Sequence, residues 1–465
     1  METIISNQIY IKNPSQAIID FCYDELIIDN PTYIQMLRLG KEDTIRRKHI
    51  PQKINLFVVS GDRIILPFGC LHAIWNLIKN SPYQLKFNNN GPISFRNDTI
   101  TQPLYNYQEK AVQTMVSAKG GVLIGGCASG KTNCGIEIVK RIGKRFLWLT
   151  HTIDLVNQSY QRFKKLYPEC KIAITSDGKV EFGEDGTIAT VQTMSKLDPN
   201  LYANEFDVVI VDECHRCTHD PISAKMFGRV VSNVSARYKF GLTATPKRND
   251  TLTKTIYTTL GANLNGEFMP EFVMPRNETK TLLSKHIKVP LQTPFLYEAL
   301  ADDGTFDYAA LVDALAENMP RNETIVENIV ELQKDGRKQL VLCSRVTHCE
   351  LLGQMLKDKG IKVEVLTGSS RKKQRKEILE HPEMWDVLIA TFSLAKEGLD
   401  LIELDTLHWC SIVGNKTDTI QSAGRIERIC EGKKEPIIFD YVDVRIPYVV
   451  SRYNKRVTWL RKRDE

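Results

Sequence analysis

The chain reads as an α/β protein: two parallel-sheet domains behind a small N-terminal α/β module. Three observations predict this. Apolar runs such as Val208-Val209-Ile210-Val211 show no polar alternation, the mark of strands covered on both faces. From residue 101 onward such runs alternate with helix-period stretches, the pattern of a parallel sheet with crossover helices. The most distinctive polar residues follow directly on the runs, where open parallel sheets bind ligands. At 465 residues the chain is too long for one core, which favours two or three domains.

Taken in order, residues 1–100 lack the loop-and-carboxylate motifs found later. Residues 54–60 and 63–66 read as two strands around Gly61-Asp62, a hairpin turn pair. Residues 71–79 read as a helix. Arg46, Arg47, Lys48 and Lys53 beside His49 make a basic approach to this module. Either an accessory duplex- or junction-binding domain or a structural cap fits it. Residues 101–275 form the first parallel-sheet domain and residues 276–465 the second. In the second, strands are expected at 339–344, 363–366, 387–391 and 436–441, with a helix over 308–317.

Gly125-Gly126-Cys127-Ala128-Ser129-Gly130-Lys131-Thr132 follows the strand-like Val122-Leu123-Ile124 and precedes a helical stretch over 133–141. That context turns a Gly-rich string into a phosphate cradle. Glycines let backbone N–H groups approach a triphosphate, and the helix N-terminus favours its charge. Lys131 would reach the β- and γ-phosphates, and the Thr132 hydroxyl would ligate Mg²⁺.

The run at 208–211 ends in Asp212-Glu213-Cys214-His215. Two adjacent carboxylates at a strand end suit phosphoryl transfer, where catalysis is mostly positioning and electrostatics. Asp212 would hold Mg²⁺ and Glu213 would polarise the attacking water. Further on, Arg425 and Arg428 lie three apart, so on a helix they would share one face. Guanidiniums bind phosphate bidentately and stay charged.

With these residues the chain resembles the DExH-box helicases of superfamily 2. Asp212-Glu213-Cys214-His215 is similar to the box itself, and other motifs follow in the family's order. Gly241-Leu242-Thr243-Ala244-Thr245-Pro246 resembles the motif that couples hydrolysis to domain movement. Val387-Leu388-Ile389-Ala390-Thr391, then Glu397-Gly398-Leu399-Asp400, resembles the fifth motif, which places Gly398 and Asp400 at the nucleotide. Gln421-Ser422-Ala423-Gly424-Arg425-Ile426-Glu427-Arg428 matches the pattern whose glutamine and arginines, here Gln421, Arg425 and Arg428, act on the γ-phosphate. Leu104-Tyr105-Asn106-Tyr107-Gln108 resembles the adenine-recognition element, with Gln108 on the base and Tyr105 stacking against it. The resemblance spans residues 100–445.

The resemblance implies two RecA-like domains, ATP and Mg²⁺ as cofactors, and a nucleic-acid strand as partner. Thr150, His151, Gln158, Thr190, Arg345, Thr367, Gly368 and Thr391 are its candidates for strand contacts. Thr150-His151 stands where the family often has Pro-Thr. The residues Gly241–Pro246 with Lys247-Arg248-Asn249-Asp250 after them look more like DNA motors than RNA DEAD-box proteins. Length and the small N-terminal module are similar to phage UvsW-type helicases that remodel branched DNA. The expected activity is therefore an ATP-dependent helicase or translocase on forked, four-way or single-stranded DNA. An RNA helicase, a duplex translocase without strand separation, and an ATP-switched regulator remain alternatives.

Composition agrees without deciding. A net charge of +6 is compatible with a polyanion but does not identify one. The run 451–465 carries six Lys and Arg against Asp464 and Glu465, which fits a phosphate contact and a solvated helix end equally. Eleven scattered cysteines show no disulfide spacing, and Cys214-His215-Arg216-Cys217 has no second cysteine pair to complete a zinc site. No apolar run is long enough to cross a bilayer. The expectation is an intracellular, cytoplasmic protein, in host cytoplasm if the source is viral, with a monomer expected.

Overall fold

The computed structural model describes residues 1–95, 103–126, 129–217, 225–244, 252–260, 271–274, 282–294, 306–396, 399 and 401–464. The chain divides into two compact units. One is Met1–Gly126 with Gly130–Pro275; the other is Arg276–Glu465 with Cys127–Ser129.

Within the first unit, the N-terminal module has its own five-stranded sheet. Its order is Val58–Ser60, Arg63–Pro67, Gln8–Lys12, Glu2–Ile5, Tyr83–Leu85. Only the last pairing is parallel. Helices Gln16–Glu25 and Leu71–Ile78 contribute Ile18, Cys22, Ile74 and Ile78 to its core. The hairpin at Gly61-Asp62 forms as expected. The strand expected over 54–60 does not run through. Lys53–Asn55 pairs with Ile27–Asp29 in a separate ribbon, and only Val58–Ser60 joins the hairpin. Leu56 and Phe57 drop into the module core between the two pairings. The basic approach is also weaker than its sequence suggests, because Arg46 pairs with Asp43 and Lys53 with Asp29.

The larger sheet of this unit has seven strands, all parallel, in the order Ile172–Thr175, Gly186–Thr190, Phe146–Thr150, Val208–Asp212, Tyr238–Thr243, Gly120–Ile124, Glu271–Val273. The unbroken apolar runs are explained by two cores, one on each face. Trp148 and Ile210 point into one, Leu147, Val209 and Val211 into the other.

The module is bonded into this unit. Lys239, fully buried, donates from Nζ to the carbonyls of Asn7 and Val231 and lies 4.8 Å from the Phe68 ring centroid. Gly69 lies so close to helix Thr253–Leu260 that a Cβ there would stand 2.1 Å from the Tyr257 carbonyl oxygen. Downstream, Asn88 donates to the carbonyls of Ala203 and Phe206, Asn90 N–H to Asp207, and Ser94 to Asp185. Those bonds place residues 88–95 with the larger sheet and move the expected domain boundary from residue 100 toward Asn88.

The second unit holds a six-stranded parallel sheet in the order Lys285–Leu291, Ile437–Asp443, Thr406–Trp409, Gln339–Cys343, Val387–Thr391, Val363–Leu366. Again two cores cover it: Leu340, Leu342 and Trp409 lie in one, Val341, Cys343 and Ile389 in the other. The tail is not a free basic run. Arg456 is buried and forms a bidentate pair with Asp440 at 2.6 and 2.8 Å.

Candidate functional site

The phosphate loop joins strand Gly120–Ile124 to helix Lys131–Ile142. Gly130 caps that helix at φ +82, and a Cβ there would stand 2.1 Å from Gln108 Nε2. Glycine is required twice over, by backbone conformation and by contact. Lys131 Nζ donates to the carbonyls of Gly125 (2.9 Å) and Gly126 (3.1 Å), so its ammonium sits over the loop. Gly125 N–H donates to the Thr243 carbonyl, which ties the loop to the coupling strand. Cys127 and Ala128 lie outside the described residues.

Gln108 is buried, and its Oε1 accepts from Tyr105 N–H at 3.1 Å. Its other end faces Gly130. Tyr105 stacks on Tyr107 with centroids 5.8 Å apart and stays 40% exposed, so it offers a ring face beside Gln108. The sequence reading missed what holds this element in place. Arg141, on the phosphate-loop helix, grips Glu109 bidentately at 2.6 and 2.7 Å and bonds Glu137 at 2.8 Å. The hydrogen bond from Arg141 holds the Glu109 carboxyl below its usual range. Only the Glu137–Arg141 spacing of four was available as a signal.

Asp212 ends its strand 7% exposed. Burial raises its pKa to about 7, the Glu213 charge adds to the rise, and Lys131 and the Glu213 N–H oppose it. A buried carboxylate held this high is suited to a cation, and with the Thr132 hydroxyl it fits Mg²⁺, which keeps few protein ligands. Among the described residues no group of three or more His, Cys, Asp or Glu could hold a metal. The cysteines of the described residues are free thiols.

Glu213 adopts φ +52, a conformation costing about 1–2 kcal/mol for such a residue. The turn swings its carboxylate to His215, with Oε2 to Nδ1 at 3.2 Å, and His215 Nδ1 is also 3.2 Å from Thr243 Oγ1. The acidic box thus touches the coupling strand through His215. His151 stands near this group. Burial first, then the Arg216 charge, pushes its pKa down to about 4, so it is neutral at pH 7.

Several expected strand contacts use their side chains internally. Thr150 is fully buried and donates to the Thr152 carbonyl; Thr190 bonds Thr193, Thr367 bonds Ser369 and Thr391 bonds Ser393. These hydroxyls shape the turns after their strands, leaving the turn backbone to meet a ligand. Gln158 is half-buried on helix Ile153–Leu166. Gly368 is open, with nothing within 4 Å of where a Cβ would be. Arg345 is paired with Asp313 at 2.5 Å.

In the second unit, helix Lys416–Ile426 carries Gln421 and Arg425. The expectation that Arg425 and Arg428 share a helical face is corrected. The helix stops at Ile426, with Glu427 as C-cap, and Arg428 lies beyond it. Arg425 Nη1 donates to the Leu399 carbonyl at 2.8 Å, which connects it to the fifth motif. Gly398 and Asp400 fall outside the described residues.

The family model described as type III restriction enzyme, res subunit, matches residues 101–248, and that described as helicase conserved C-terminal domain matches 321–430. A putative ATP-dependent RNA helicase of Acanthamoeba polyphaga mimivirus is 27% identical over 72% of this chain and 62% of its own length. A probable helicase of Escherichia phage T5 is 26% identical over 67% of this chain and 65% of its own. The chain thus spans less than two thirds of either relative. Among solved structures, S. cerevisiae Dbp5 bound to RNA and ADP BeF3 overlays at a TM-score of 0.56 and 14% identity, over 85% of this chain and 92% of that one, a likeness of fold.

Proposed function

We propose that this chain, which belongs to superfamily 2 of the helicases, is an ATP-driven motor that moves along DNA and remodels forked or four-way junctions. The observation that carries the motor reading is the contact path from phosphate loop to acidic box. Gly125 N–H donates to the Thr243 carbonyl, Thr243 Oγ1 lies 3.2 Å from His215 Nδ1, and the same nitrogen is 3.2 Å from Glu213 Oε2.

In this reading Gln108 and Tyr105 receive the adenine, and the loop N–H groups with Lys131 receive the phosphates. Asp212 and Thr132 would hold Mg²⁺, which supplies positive charge to the phosphate oxygens. Glu213 takes a proton from the attacking water, and Arg425 and Arg428 stabilise charge on the γ-phosphate. A change at the γ-phosphate moves Glu213, and His215 passes the movement to the Thr243 strand. Different affinities of the two nucleotide states for a bound strand make this a motor.

DNA is favoured by the residues Gly241–Pro246 with Lys247-Arg248-Asn249-Asp250 after them, which look more like DNA motors than RNA DEAD-box proteins. RNA is the second reading, favoured by the mimivirus relative's name. ATPase stimulation by single-stranded, duplex, forked and four-way DNA, with RNA in parallel, tests both. Strongest stimulation by branched DNA is expected. Stimulation by RNA alone would overturn the DNA assignment, and stimulation by neither would overturn the motor.

A further inference from the structure

Three aromatic rings crowd together at the surface of the second unit. Phe306 and Tyr448 have centroids 4.9 Å apart at 35°, and Tyr308 and Tyr448 are 5.9 Å apart. Phe306 is 44% and Tyr308 41% exposed. Two guanidiniums join them. Arg452 lies 4.8 Å from the Tyr448 centroid and donates to the Gly414 carbonyl. Arg345, ion-paired with Asp313, also donates to the Ala309 carbonyl, one residue beyond Tyr308.

The support beneath the rings is rigid. Helix Tyr308–Glu317 is N-capped by Asp307, which accepts from Ala309 and Ala310 N–H. Its Leu311 and Leu315 are buried with Ile412, Ile446 and Val449. Exposed rings on so firm a base are a presented surface, and water alone gives no reason to present them.

Their place in the fold says what meets them. Arg345 follows strand Gln339–Cys343, Gly414 follows Thr406–Trp409, and Tyr448 follows Ile437–Asp443. These three strands are neighbours in a parallel sheet, so the cluster lies on the carboxyl rim. The next two strands along that rim end at Thr391 and Leu366, beside the turns expected to meet a strand backbone. Phosphate contacts need cations and N–H groups but no rings. Ring faces with guanidiniums beside them suit nucleobases, which stack on aromatics while their phosphates pair with arginine.

We propose that Phe306, Tyr308 and Tyr448, flanked by Arg345 and Arg452, form a nucleobase-stacking site for single-stranded nucleic acid on the second motor domain. This rests on the motor reading and deepens it, adding base contacts to the backbone contacts of the same rim. Such a site is tolerant of sequence, because every base has a π face.

The test compares full-length protein on thymidylate and uridylate strands with an abasic strand of equal length. Wild type should bind the base-bearing strands about tenfold more tightly than the abasic one. The Phe306→Ala/Tyr308→Ala double variant should lose that difference by weakening only on the base-bearing strands. Phe306→Leu, which keeps an apolar side chain, should lose part of it. A 2-aminopurine base in the strand should be quenched on binding wild type and less so on binding the variants. Equal binding of base-bearing and abasic strands by wild type overturns the site and leaves the motor standing. So does a preference that survives undiminished in the double variant. Failure of wild type to bind any strand overturns the motor reading itself.

Discussion

Lys239 Nζ donates to the main-chain carbonyl of Asn7 at 3.2 Å, joining the N-terminal module to the strand that ends at Thr243. The ammonium is fully buried, with the Val231 carbonyl, the Phe68 ring and the nearby Cys217 thiol as its surroundings. Burial lowers its pKa from 10.5 to about 7. The folded protein therefore sheds this proton near pH 7, while the unfolded chain keeps it to about 10.5. Between those values the unfolded state binds more protons, so stability rises with pH by about 1.4 kcal/mol per unit from this group. Lys239→Met should remove that rise. Denaturant unfolding at pH 7.5, 8.5 and 9.5, wild type against Lys239→Met, measures it; parallel curves would show that Lys239 keeps its proton when folded.

Gly130→Ala should weaken ATP binding by at least tenfold, because the added Cβ meets both a left-handed backbone and Gln108 Nε2. Gln108 must then move, so preference for ATP over other triphosphates should fall as well. Titration with ATP and GTP separates the two effects. Unchanged affinity for both would mean that Gln108 and the loop do not act on the nucleotide.

Glu213→Gln should still bind Mg·ATP while turnover falls about 100-fold or more, since an amide cannot accept the proton from water. Residue 213 keeps its φ +52 backbone in either form, so the loss would report chemistry and not the turn. Single-turnover hydrolysis with a separate binding measurement distinguishes these. Loss of binding together with turnover would make Glu213 structural.

Arg425→Ala should lower turnover on the order of 10³-fold with ATP affinity largely kept, if its guanidinium acts on transition-state charge. Its bond to the Leu399 carbonyl adds a second effect, because the fifth motif loses an anchor. Arg425→Lys can still donate to that carbonyl but cannot bind phosphate bidentately. Turnover restored by lysine would assign Arg425 to anchoring alone.

Much of this was legible from residues. Strands Val363–Leu366 and Val387–Thr391 and helix Tyr308–Glu317 stand where the sequence places them. Val387–Thr391 is buried on both faces and so shows no polar alternation to blur its ends, whereas Val363–Leu366 is an edge strand with Glu364 partly exposed. What was misread depends on partners distant in sequence. Leu56 and Phe57 look like strand residues until two different pairings pull their flanks apart. Thr150 looks like a surface contact until its hydroxyl turns to Thr152. Lys239 draws no reading at all, because its partners Asn7 and Phe68 lie far upstream and no local pattern points to them. Arg428 follows a helix end that its own motif does not announce.

Every nucleotide motif lies beyond residue 100, which suggests that residues 1–100 could be removed with the ATPase spared. The bonds predict otherwise. Such a cut takes away Asn88, Asn90 and Ser94, and with them donors to buried Asp185 and Asp207. It also removes Phe95, which packs on Phe163 and Tyr167 in the motor core. Each donor lost to a buried carboxylate costs about 1–3 kcal/mol and the lost core ring about 3–5 kcal/mol, together enough to unfold a domain of ordinary stability even though Asp185 keeps the Lys171 N–H. A chain beginning at residue 87 keeps all four residues. It gives up the Asn7 bonds to Lys239 and Ser232, the Glu25–Lys254 ion pair and the close packing of Gly69 on helix Thr253–Leu260, a face that water can then cover. The shorter deletion should therefore give a soluble protein that hydrolyses ATP, and the longer one should not. Thermal unfolding and ATPase assays on the two truncations decide it. Equal stability and activity would show that residues 88–95 are a linker and that the motor core begins where its motifs do.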